Sequence, residues 1–261
     1  MKGEENLEEK LLIAKLTDKI KECKRKNKIV NTEFLNMNQK NIVQKELNRL
    51  KEKDYMFFGG YEDAHSEVLV IYPQKFSEQI VQDNLENIIK VINVKLPKEL
   101  IGKYEHKNYL SAVMIQGLGR ERIGDIIVHS DEAYIVVLKE NAEYLKNSLQ
   151  ELTRFKKSQI EIIDFKDIKI KPQEFEEFNI KVASNRIDAI VAEIAKTSRN
   201  KAEEYIDSKR VSINYQEESK YTRSVKENNV IVIRGKGKFI IDNIGDKNQK
   251  GRLTISIKKY K

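Results

Sequence analysis

The sequence predicts an α+β protein in which regions of different architecture follow one another along the chain. Apolar residues recur every three or four positions between Leu7 and Lys26, which is typical of an amphipathic helix. Residues 88–165 follow the order strand, helix, strand, strand, helix, strand. Residues 181–261 carry 19 Lys and Arg against 10 Asp and Glu, a net charge of +9. These observations divide the chain into an N-terminal, a middle and a basic C-terminal region.

Residues 1–73 are predicted to form an N-terminal α/β domain that begins with the amphipathic helix. A second helix is expected to start near Asn31 or Thr32, because both residue types are good N-caps, and to run toward Leu50. Residues 55–72 favour two strands joined by a loop rich in turn-forming residues.

Residues 74–167 are predicted to form the middle domain, an antiparallel sheet backed by two helices. The element order is that of the ferredoxin-like fold, which RNA-recognition motifs (RRM-like domains) share. Many functions use this fold, so topology alone assigns none. The third strand reads AYIVVLKE and lacks the aromatic signature of an RNA-recognition strand, which argues against base stacking on this sheet. The predicted strands are 88–96, 125–129, 133–138 and 159–165, and the predicted helices are 109–116 and 141–155.

The last third of the chain is predicted to form a separate basic module. Residues 168–182 contain a proline and mixed charges, which are typical of a linker. Residues 183–261 follow as a small C-terminal domain whose core spans 184–240. Residues 1–180 have 30 Lys and Arg against 31 Asp and Glu, so the basic excess belongs to this module. Such an excess favours a polyanion as partner, and a basic surface kept for solubility is the alternative.

The start of the second short helix in this module is the strongest candidate site for an anion. Apolar residues in 187–194 predict one helix, and Thr197 or Ser198 can cap the next. Arg199 and Lys201 flank the free backbone N–H groups at that start, where the helix dipole favours a phosphate. The other cations that a small module can gather on one face are Lys209, Arg210, Arg234, Lys236 and Lys238.

This run resembles the S-four-type RNA-binding domain, named for ribosomal small-subunit protein four. Two positions depart from the pattern: Lys209 stands where glycine is usual, and Asn228 and Asn229 stand where Gly-Asp is usual. The matching segments, in order, are Arg186-Ile187-Asp188, Ser198-Arg199-Asn200-Lys201-Ala202, Val211-Ser212-Ile213-Asn214 and Ile231-Val232-Ile233-Arg234-Gly235. The resemblance implies RNA contact at Arg186, Ser198, Arg199, Asn200, Lys201, Lys209, Arg210, Arg234, Lys236 and Lys238.

Some of these positions have a second explanation. Arg186 lies two residues before Asp188 and can form a structural ion pair with it. Asp188 itself is expected to be structural, because a carboxylate repels phosphate. RNA contact and solubility explain Arg234, Lys236 and Lys238 equally well.

Over its whole length the chain is similar to the YlmH-like bacterial proteins. The supporting segments are FFGGYEDA (57–64), MIQGLGRERIGDIIV (114–128) and IRGKGKF (233–239). The resemblance implies a non-catalytic, cytoplasmic, ribosome-associated factor. Its partners would be ribosomal RNA and tRNA on large subunits blocked by an unfinished nascent chain, in ribosome-associated quality control. An adaptor in cell division and an RNA-modifying enzyme are the alternatives, although the sequence has no recognisable adenylate, methyl-donor or pseudouridine-synthase motif.

No catalytic residue, metal site, cofactor or small-molecule substrate is predicted. The one cysteine and three histidines match no zinc spacing, and no apolar run approaches the ~20 residues that span a bilayer, so no membrane partner is expected. The segment GLGRERIG (117–124) lacks the glycine spacing of a nucleotide-binding loop and is predicted to be a turn. Within it, Arg120 and Arg122 are candidates for a second RNA contact.

Overall fold

Three antiparallel sheets and seven α-helices make up the computed structural model, which describes residues 2–170, 174–249 and 251–260. The predicted α+β class is confirmed. The chain divides into two compact units, residues 1–170 and 171–261. The first unit contains a three-stranded and a four-stranded sheet, and the second contains a six-stranded sheet.

The three-stranded sheet packs against two helices. The central strand, Glu67–Ile71 (β3), pairs antiparallel with Val30–Leu35 (β1) on one side and with Tyr55–Phe58 (β2) on the other. Leu16 and Leu47 of the two helices are buried against Leu69 of the central strand. The elements are α1 (Lys2–Lys26), β1 (Val30–Leu35), α2 (Met37–Leu50), β2 (Tyr55–Phe58) and β3 (Glu67–Ile71).

The prediction that a helix begins near Asn31 or Thr32 is wrong, because both residues lie in strand β1. The hydroxyl of Thr32 accepts a hydrogen bond from the N–H of Leu69 in the neighbouring strand, at 2.9 Å. Asn36 caps α2 instead, in a reciprocal capping box with Gln39 whose two hydrogen bonds measure 3.0 and 2.9 Å. Pairing with a distant strand has thus overridden a local capping preference.

The four-stranded sheet has the order β5-β6-β4-β7, with antiparallel pairing throughout, and two helices cover one face. Tyr109, Leu145 and Leu149 of these helices are buried against it. One further helix, capped by Ser77, lies outside the predicted elements. The elements are α3 (Glu78–Asn84), β4 (Ile89–Lys95), α4 (His106–Ile115), β5 (Ile123–Val128), β6 (Glu132–Leu138), α5 (Lys139–Glu151) and β7 (Gln159–Ile163).

The three-stranded sheet packs against the other face of the four-stranded sheet, over the central strands β4 and β6. Phe34, Val68 and Val70 of the first sheet form one buried cluster with Ile89 and Val136 of the second. All five side chains are at most 4% exposed. The two regions predicted as separate domains therefore share a hydrophobic core. Base stacking would require this face to be open, so the packing gives a physical reason for the missing aromatic signature.

The second unit is a six-stranded sheet with the order β10-β9-β11-β12-β13-β8 and two short helices on one face. Ile190 and Ile206 of the helices are buried against Ile231 and Ile257 of the sheet. The elements are β8 (Phe175–Val182), α6 (Ile187–Ala195), α7 (Arg199–Asp207), β9 (Val211–Ile213), β10 (Gln216–Glu217), β11 (Val230–Ile233), β12 (Gly237–Lys247) and β13 (Leu253–Tyr260).

Part of the segment predicted as a linker, residues 168–182, is a strand. Strand β8 pairs with β13 along its full length. Ile180 and Val182 are buried while their neighbours in sequence are exposed, which is the alternation of a half-buried strand. The partner strand lies more than 70 residues away in sequence, so the composition of the segment does not reveal it. Residues 171–173 of this segment lie outside the described residues.

Gly124 of β5 lies where Phe34 of the three-stranded sheet packs closely against the four-stranded sheet. A Cβ atom at this position would lie 2.7 Å from Cε1 of Phe34 and 3.1 Å from Cβ of Val136. We expect Gly124→Ala to lower the free energy of unfolding by about 1–3 kcal/mol, because overpacking displaces both neighbours. Urea denaturation of the purified chain measures this change.

Gly102→Ala is the matched control for this prediction. Gly102 has φ +73°, and no described atom lies within 4 Å of the added Cβ, so only backbone strain of about 1 kcal/mol is expected. Equal costs for the two substitutions would show that the contact at Gly124 is not tight.

Candidate nucleic-acid interface

A buried carboxylate joins the starts of α6 and α7. The side chain of Asp188 is completely buried. It accepts hydrogen bonds from Nε and Nη2 of Arg186 at 3.1 and 2.8 Å, from Nη2 of Arg199 at 2.7 Å and from the N–H of Ala189 at 2.8 Å. Burial acts to raise the pKa of Asp188, but these hydrogen bonds outweigh it and the pKa is lowered. The carboxylate therefore stays charged and holds both guanidinium groups.

The two arginines differ in how well the sequence anticipates their contacts. The ion pair between Arg186 and Asp188 is one of the two explanations that the sequence offers, and it is present. The pairing of Arg199 with the same carboxylate is not anticipated. Arg186 and Arg199 keep 37% and 49% of their side chains exposed. Because a guanidinium has five N–H donors, each arginine retains donors for a ligand while its position is fixed.

Ser198 is the residue that caps α7. Its hydroxyl accepts a hydrogen bond from the N–H of Lys201 at 3.2 Å. The first turn reads Arg199-Asn200-Lys201 and has no acidic residue, so no carboxylate in that turn offsets the positive end of the helix dipole. The hydrogen bond from Lys201 to Glu204 holds the pKa of the lysine above its usual range, while the nearby charge of Arg210 opposes this shift.

The end of α7 carries Lys209 in a left-handed backbone conformation, with φ +54°. The N–H of Lys209 donates to the carbonyl of Ile206, and the N–H of Arg210 donates to the carbonyl of Tyr205, both at 2.9 Å. These two bonds form a Schellman motif, in which glycine is the usual residue at the left-handed position. The ammonium group of Lys209 pairs with Glu217 at 3.0 Å. The first departure from the S-four-type pattern thus falls where a glycine would relieve strain.

The second departure from the S-four-type pattern, Asn228-Asn229 in place of Gly-Asp, also falls at a left-handed backbone position. Asn228, in the turn before β11, has φ +62°, and its N–H donates to the carbonyl of Ile241 at 2.7 Å. The side chain of Asn229 accepts from the N–H of Lys226 at 2.9 Å. Asparagine tolerates the left-handed region better than most residues, so this turn forms without glycine.

Arg210 is fixed between α7 and the turn that joins β11 to β12. Its guanidinium carbon lies 4.6 Å from the ring centre of Tyr205, and Nη2 donates to the carbonyl of Arg234 at 2.8 Å. The N–H of Arg234 donates back to the carbonyl of Arg210 at 2.9 Å. Tyr205 is not among the predicted contact residues. Its spacing of four residues from Lys201, which places both on one face of the helix, is the signal that could have identified it.

Cations therefore lie at both ends of α7, which is about 13 Å long. Arg186, Arg199 and Lys201 lie at its start and Arg210 follows its end; we call these four residues the α7 cations. Lys236 is exposed in the turn between β11 and β12. Lys238 is separated from this group. It alternates with the buried Phe239 on β12, and its Nζ lies 3.8 Å from the ring centre of Tyr260 and 5.4 Å from that of Tyr215.

The two candidates for a second RNA contact make internal contacts in the first unit. The guanidinium of Arg120 donates to the carbonyl of Gly124 at 3.1 Å. Arg122 pairs with Glu140 and, at 3.5 Å, with Glu33. These contacts compete with any approach of these side chains to RNA, and RNA contact at the two arginines stays a prediction.

Among the described residues, no group of three His, Cys, Asp or Glu side chains is arranged to hold a metal ion. No helix among the described residues is both long enough and apolar enough to cross a membrane. Cys23 is buried, and burial raises the pKa of its thiol, which disfavours the reactive thiolate.

Comparisons with known proteins point to one group of bacterial proteins. A sequence family described as "Putative RNA-binding domain in YlmH" matches residues 82–169. The chain is 25% identical over 205 residues to "Ribosome-associated protein quality control protein P2" of Bacillus subtilis (strain 168), covering 78% of this chain and 77% of that protein. The solved structure "Cell division protein ylmH from Streptococcus pneumoniae" matches with 18% identity and a TM-score of 0.50, covering 61% of this chain and 93% of that chain. This last match shows a shared fold.

We expect Asp188→Asn to lower the free energy of unfolding at pH 7 by about 1–3 kcal/mol, since an amide replaces a buried, charge-assisted acceptor. The pKa of Asp188 is lower in the folded chain, so its contribution is present above the unfolded pKa of about 3.9 and is lost as the pH falls through the folded value. The difference in free energy of unfolding between the unmodified chain and Asp188→Asn should therefore shrink below about pH 4. Urea denaturation across this range measures it.

Asp242→Asn is the control, because Asp242 pairs with Lys258 at 2.7 Å on the surface, where such pairs contribute less than about 1 kcal/mol. If Asp188→Asn costs no more than this control at pH 7, the buried carboxylate does not organise the site.

Proposed function

We propose, from the similarity of the chain to YlmH-like proteins, that it is a non-catalytic factor that binds ribosomal RNA and tRNA on the large ribosomal subunit. Its role is ribosome-associated quality control of stalled nascent chains, in the cytoplasm. The name of the Bacillus subtilis relative and the description of the matching family support this proposal.

The observation that carries the proposal is the set of α7 cations. Two arginines are held by one buried carboxylate at a helix start whose first turn has no acidic residue. Phosphate contacts supply most of the affinity of a protein for a nucleic acid, and fixed guanidinium groups lose little side-chain entropy when they bind. Proteins recognise double-stranded RNA mostly by its shape and through its phosphates and 2′-hydroxyl groups. A positively charged helix start is suited to contact those phosphates.

The proposal includes an S-four-type domain in residues 183–261 and an RRM-like domain in residues 74–167. The left-handed conformations of Lys209 and Asn228, at the two positions where the S-four-type pattern has glycine, support the first assignment. The strand order of the four-stranded sheet supports the second. With its second face covered, that sheet serves to position other surfaces and does not stack bases.

A second candidate function is that of an RNA-binding adaptor in cell division. The name of the solved relative from Streptococcus pneumoniae favours it. Fluorescence imaging of the tagged chain separates the two functions. Enrichment at the septum that persists when ribosome binding is abolished would support the adaptor, and a diffuse signal that follows ribosomes would support the first proposal.

We expect the double variant Arg199→Gln, Lys201→Glu to abolish co-sedimentation with large ribosomal subunits. Glutamine is chosen at position 199 because a second carboxylate beside Asp188 would destabilise the fold. The affinity should fall at least about 10-fold, and the slope of log K against log salt should decrease by about 1 to 2, because each cation removed leaves one phosphate that the protein no longer neutralises.

The control carries the same change of charge, as Lys181→Gln, Lys226→Glu. Both lysines are exposed in the second unit and lie outside the α7 cations. If the two double variants sediment with subunits equally well, the α7 cations are not the primary RNA contact.

Lys209→Gly separates RNA binding from stability. Glycine relieves the strain of the left-handed conformation, so the free energy of unfolding should rise by up to about 1 kcal/mol while affinity for the large subunit falls. Lys196→Gly is the matched control, because Lys196 ends α6 with φ +51° and is not a predicted contact. The Lys196→Gly variant should gain a similar free energy of unfolding and bind the large subunit with the affinity of the unmodified chain. An unchanged affinity for Lys209→Gly would remove Lys209 from the interface.

A further inference from the structure

A second basic surface lies on the loop between α5 and β7 and on the segment that leads into α4. It consists of Lys103, Lys107, Arg154, Lys156 and Lys157, which we call the Arg154 patch. The patch belongs to the first unit and includes none of the predicted contact residues. We propose that the Arg154 patch binds the phosphate backbone of RNA. This inference rests on the proposed function and identifies the surface through which the first unit meets the RNA.

The loop that carries the patch is anchored by a buried aromatic cluster. Phe155 is completely buried, stacks on Tyr109 with ring centres 5.4 Å apart, and meets Tyr104 edge-on at 5.7 Å. The side-chain amide of Gln150 donates to the carbonyl of Ser158 at 3.2 Å and so closes the loop from the other side. With Phe155 pointing inward, the cations on either side of it in sequence are held at the surface.

Among the described residues, the hydrogen-bond partners that fix the Arg154 side chain are all neutral. Its Nη1 donates to the carbonyl of Asn108 at 2.6 Å and to the hydroxyl of Ser111 at 3.1 Å. The hydroxyl of Tyr104 donates to the carbonyl of Arg154 at 3.1 Å. None of these partners neutralises the guanidinium, so a positioned arginine keeps its full charge, as a phosphate-binding arginine requires.

The same contacts bring the lysines of the segment before α4 to the loop. Lys103 is next in sequence to Tyr104 and Lys107 is next to Asn108, the residues that contact Arg154. Lys157 reaches Glu99 at 3.6 Å. Within the described part of the chain, Lys103, Lys156 and Arg154 have no carboxylate within ion-pair distance. Lys107 and Lys157 pair with Glu105 and Glu99, but these pairs are more than half exposed and therefore weak.

The chemistry of the patch favours RNA over a protein partner. Five cations and two carboxylates leave an excess of positive charge, and the aromatic residues at its base are turned inward, whereas protein interfaces are depleted in lysine and enriched in exposed aromatic residues. The alternatives in the same unit are less available. The second face of the four-stranded sheet is covered over its central strands, and Arg120 and Arg122 are hydrogen-bonded or paired within the unit.

The test uses the full chain with Lys103→Glu, Lys107→Glu and Lys156→Glu, and leaves Arg154 in place because of its structural hydrogen bonds. The control is Lys10→Glu, Lys21→Glu and Lys45→Glu, three exposed lysines of the same unit with the same change of charge. Binding to protein-free ribosomal RNA of the large subunit is measured against salt concentration. The patch variant should bind at least about 10-fold more weakly at 0.1 M salt and show a salt slope smaller by about 2, and the control should change affinity less than about 2-fold.

The outcomes separate this inference from the proposed function. If the patch variant matches the control while Arg199→Gln, Lys201→Glu abolishes binding, the inference fails and the proposed function stands. If the unmodified chain binds neither protein-free RNA nor intact subunits, the proposed function fails. If the patch variant no longer binds intact subunits but still binds protein-free RNA, the partner of the patch is a ribosomal protein and the inference is overturned.

Discussion

One completely buried carboxylate sets the geometry of the candidate interface. Asp188 accepts four hydrogen bonds, two from Arg186 and one each from Arg199 and the N–H of Ala189. A buried charge is costly unless it is paired and hydrogen-bonded, so both guanidinium groups stabilise the folded state beside it. Because the two arginines belong to the starts of different helices, this requirement also fixes how α6 and α7 meet. The positive end of α7 and its cations then occupy one place in every folded molecule.

A comparable constraint shapes the first unit, where one sheet is covered on both faces. The helices α4 and α5 cover one side, and Phe34, Val68 and Val70 cover the other. The central strands β4 and β6 therefore offer no open surface for stacked bases. What it offers is rigidity, because the loops and helix ends at its periphery are anchored to a well-packed core. The position of Arg154, held beside α4 by a loop with a buried phenylalanine, is a consequence of that packing.

Each of the two basic surfaces contains an arginine that is held in place by hydrogen bonds within the fold, but the hydrogen-bond partners differ. At the start of α7 a carboxylate holds the arginines, and part of each guanidinium stays exposed. At Arg154 backbone and hydroxyl oxygens hold the arginine without neutralising it. In both places contacts within the fold position an arginine, and exposed lysines lie near it. Such surfaces bind the backbone of a nucleic acid with little dependence on its sequence, since phosphates are common to every sequence.

The sequence by itself determined the features that depend on residues close together in the chain. Ser198 caps α7, the apolar spacing produces α1, and the charge count locates the basic module, because capping, periodicity and composition all act within a few residues. Tertiary structure decided the features that depend on distant partners. Thr32 lies in a strand because β1 pairs with β3, where the N–H of Leu69 donates to its hydroxyl, and Arg122 pairs with Glu140 because the fold brings them together. Arg199 meets Asp188 only because two helices pack together, and the free energy of burying that carboxylate is decided by this packing and not by either residue alone.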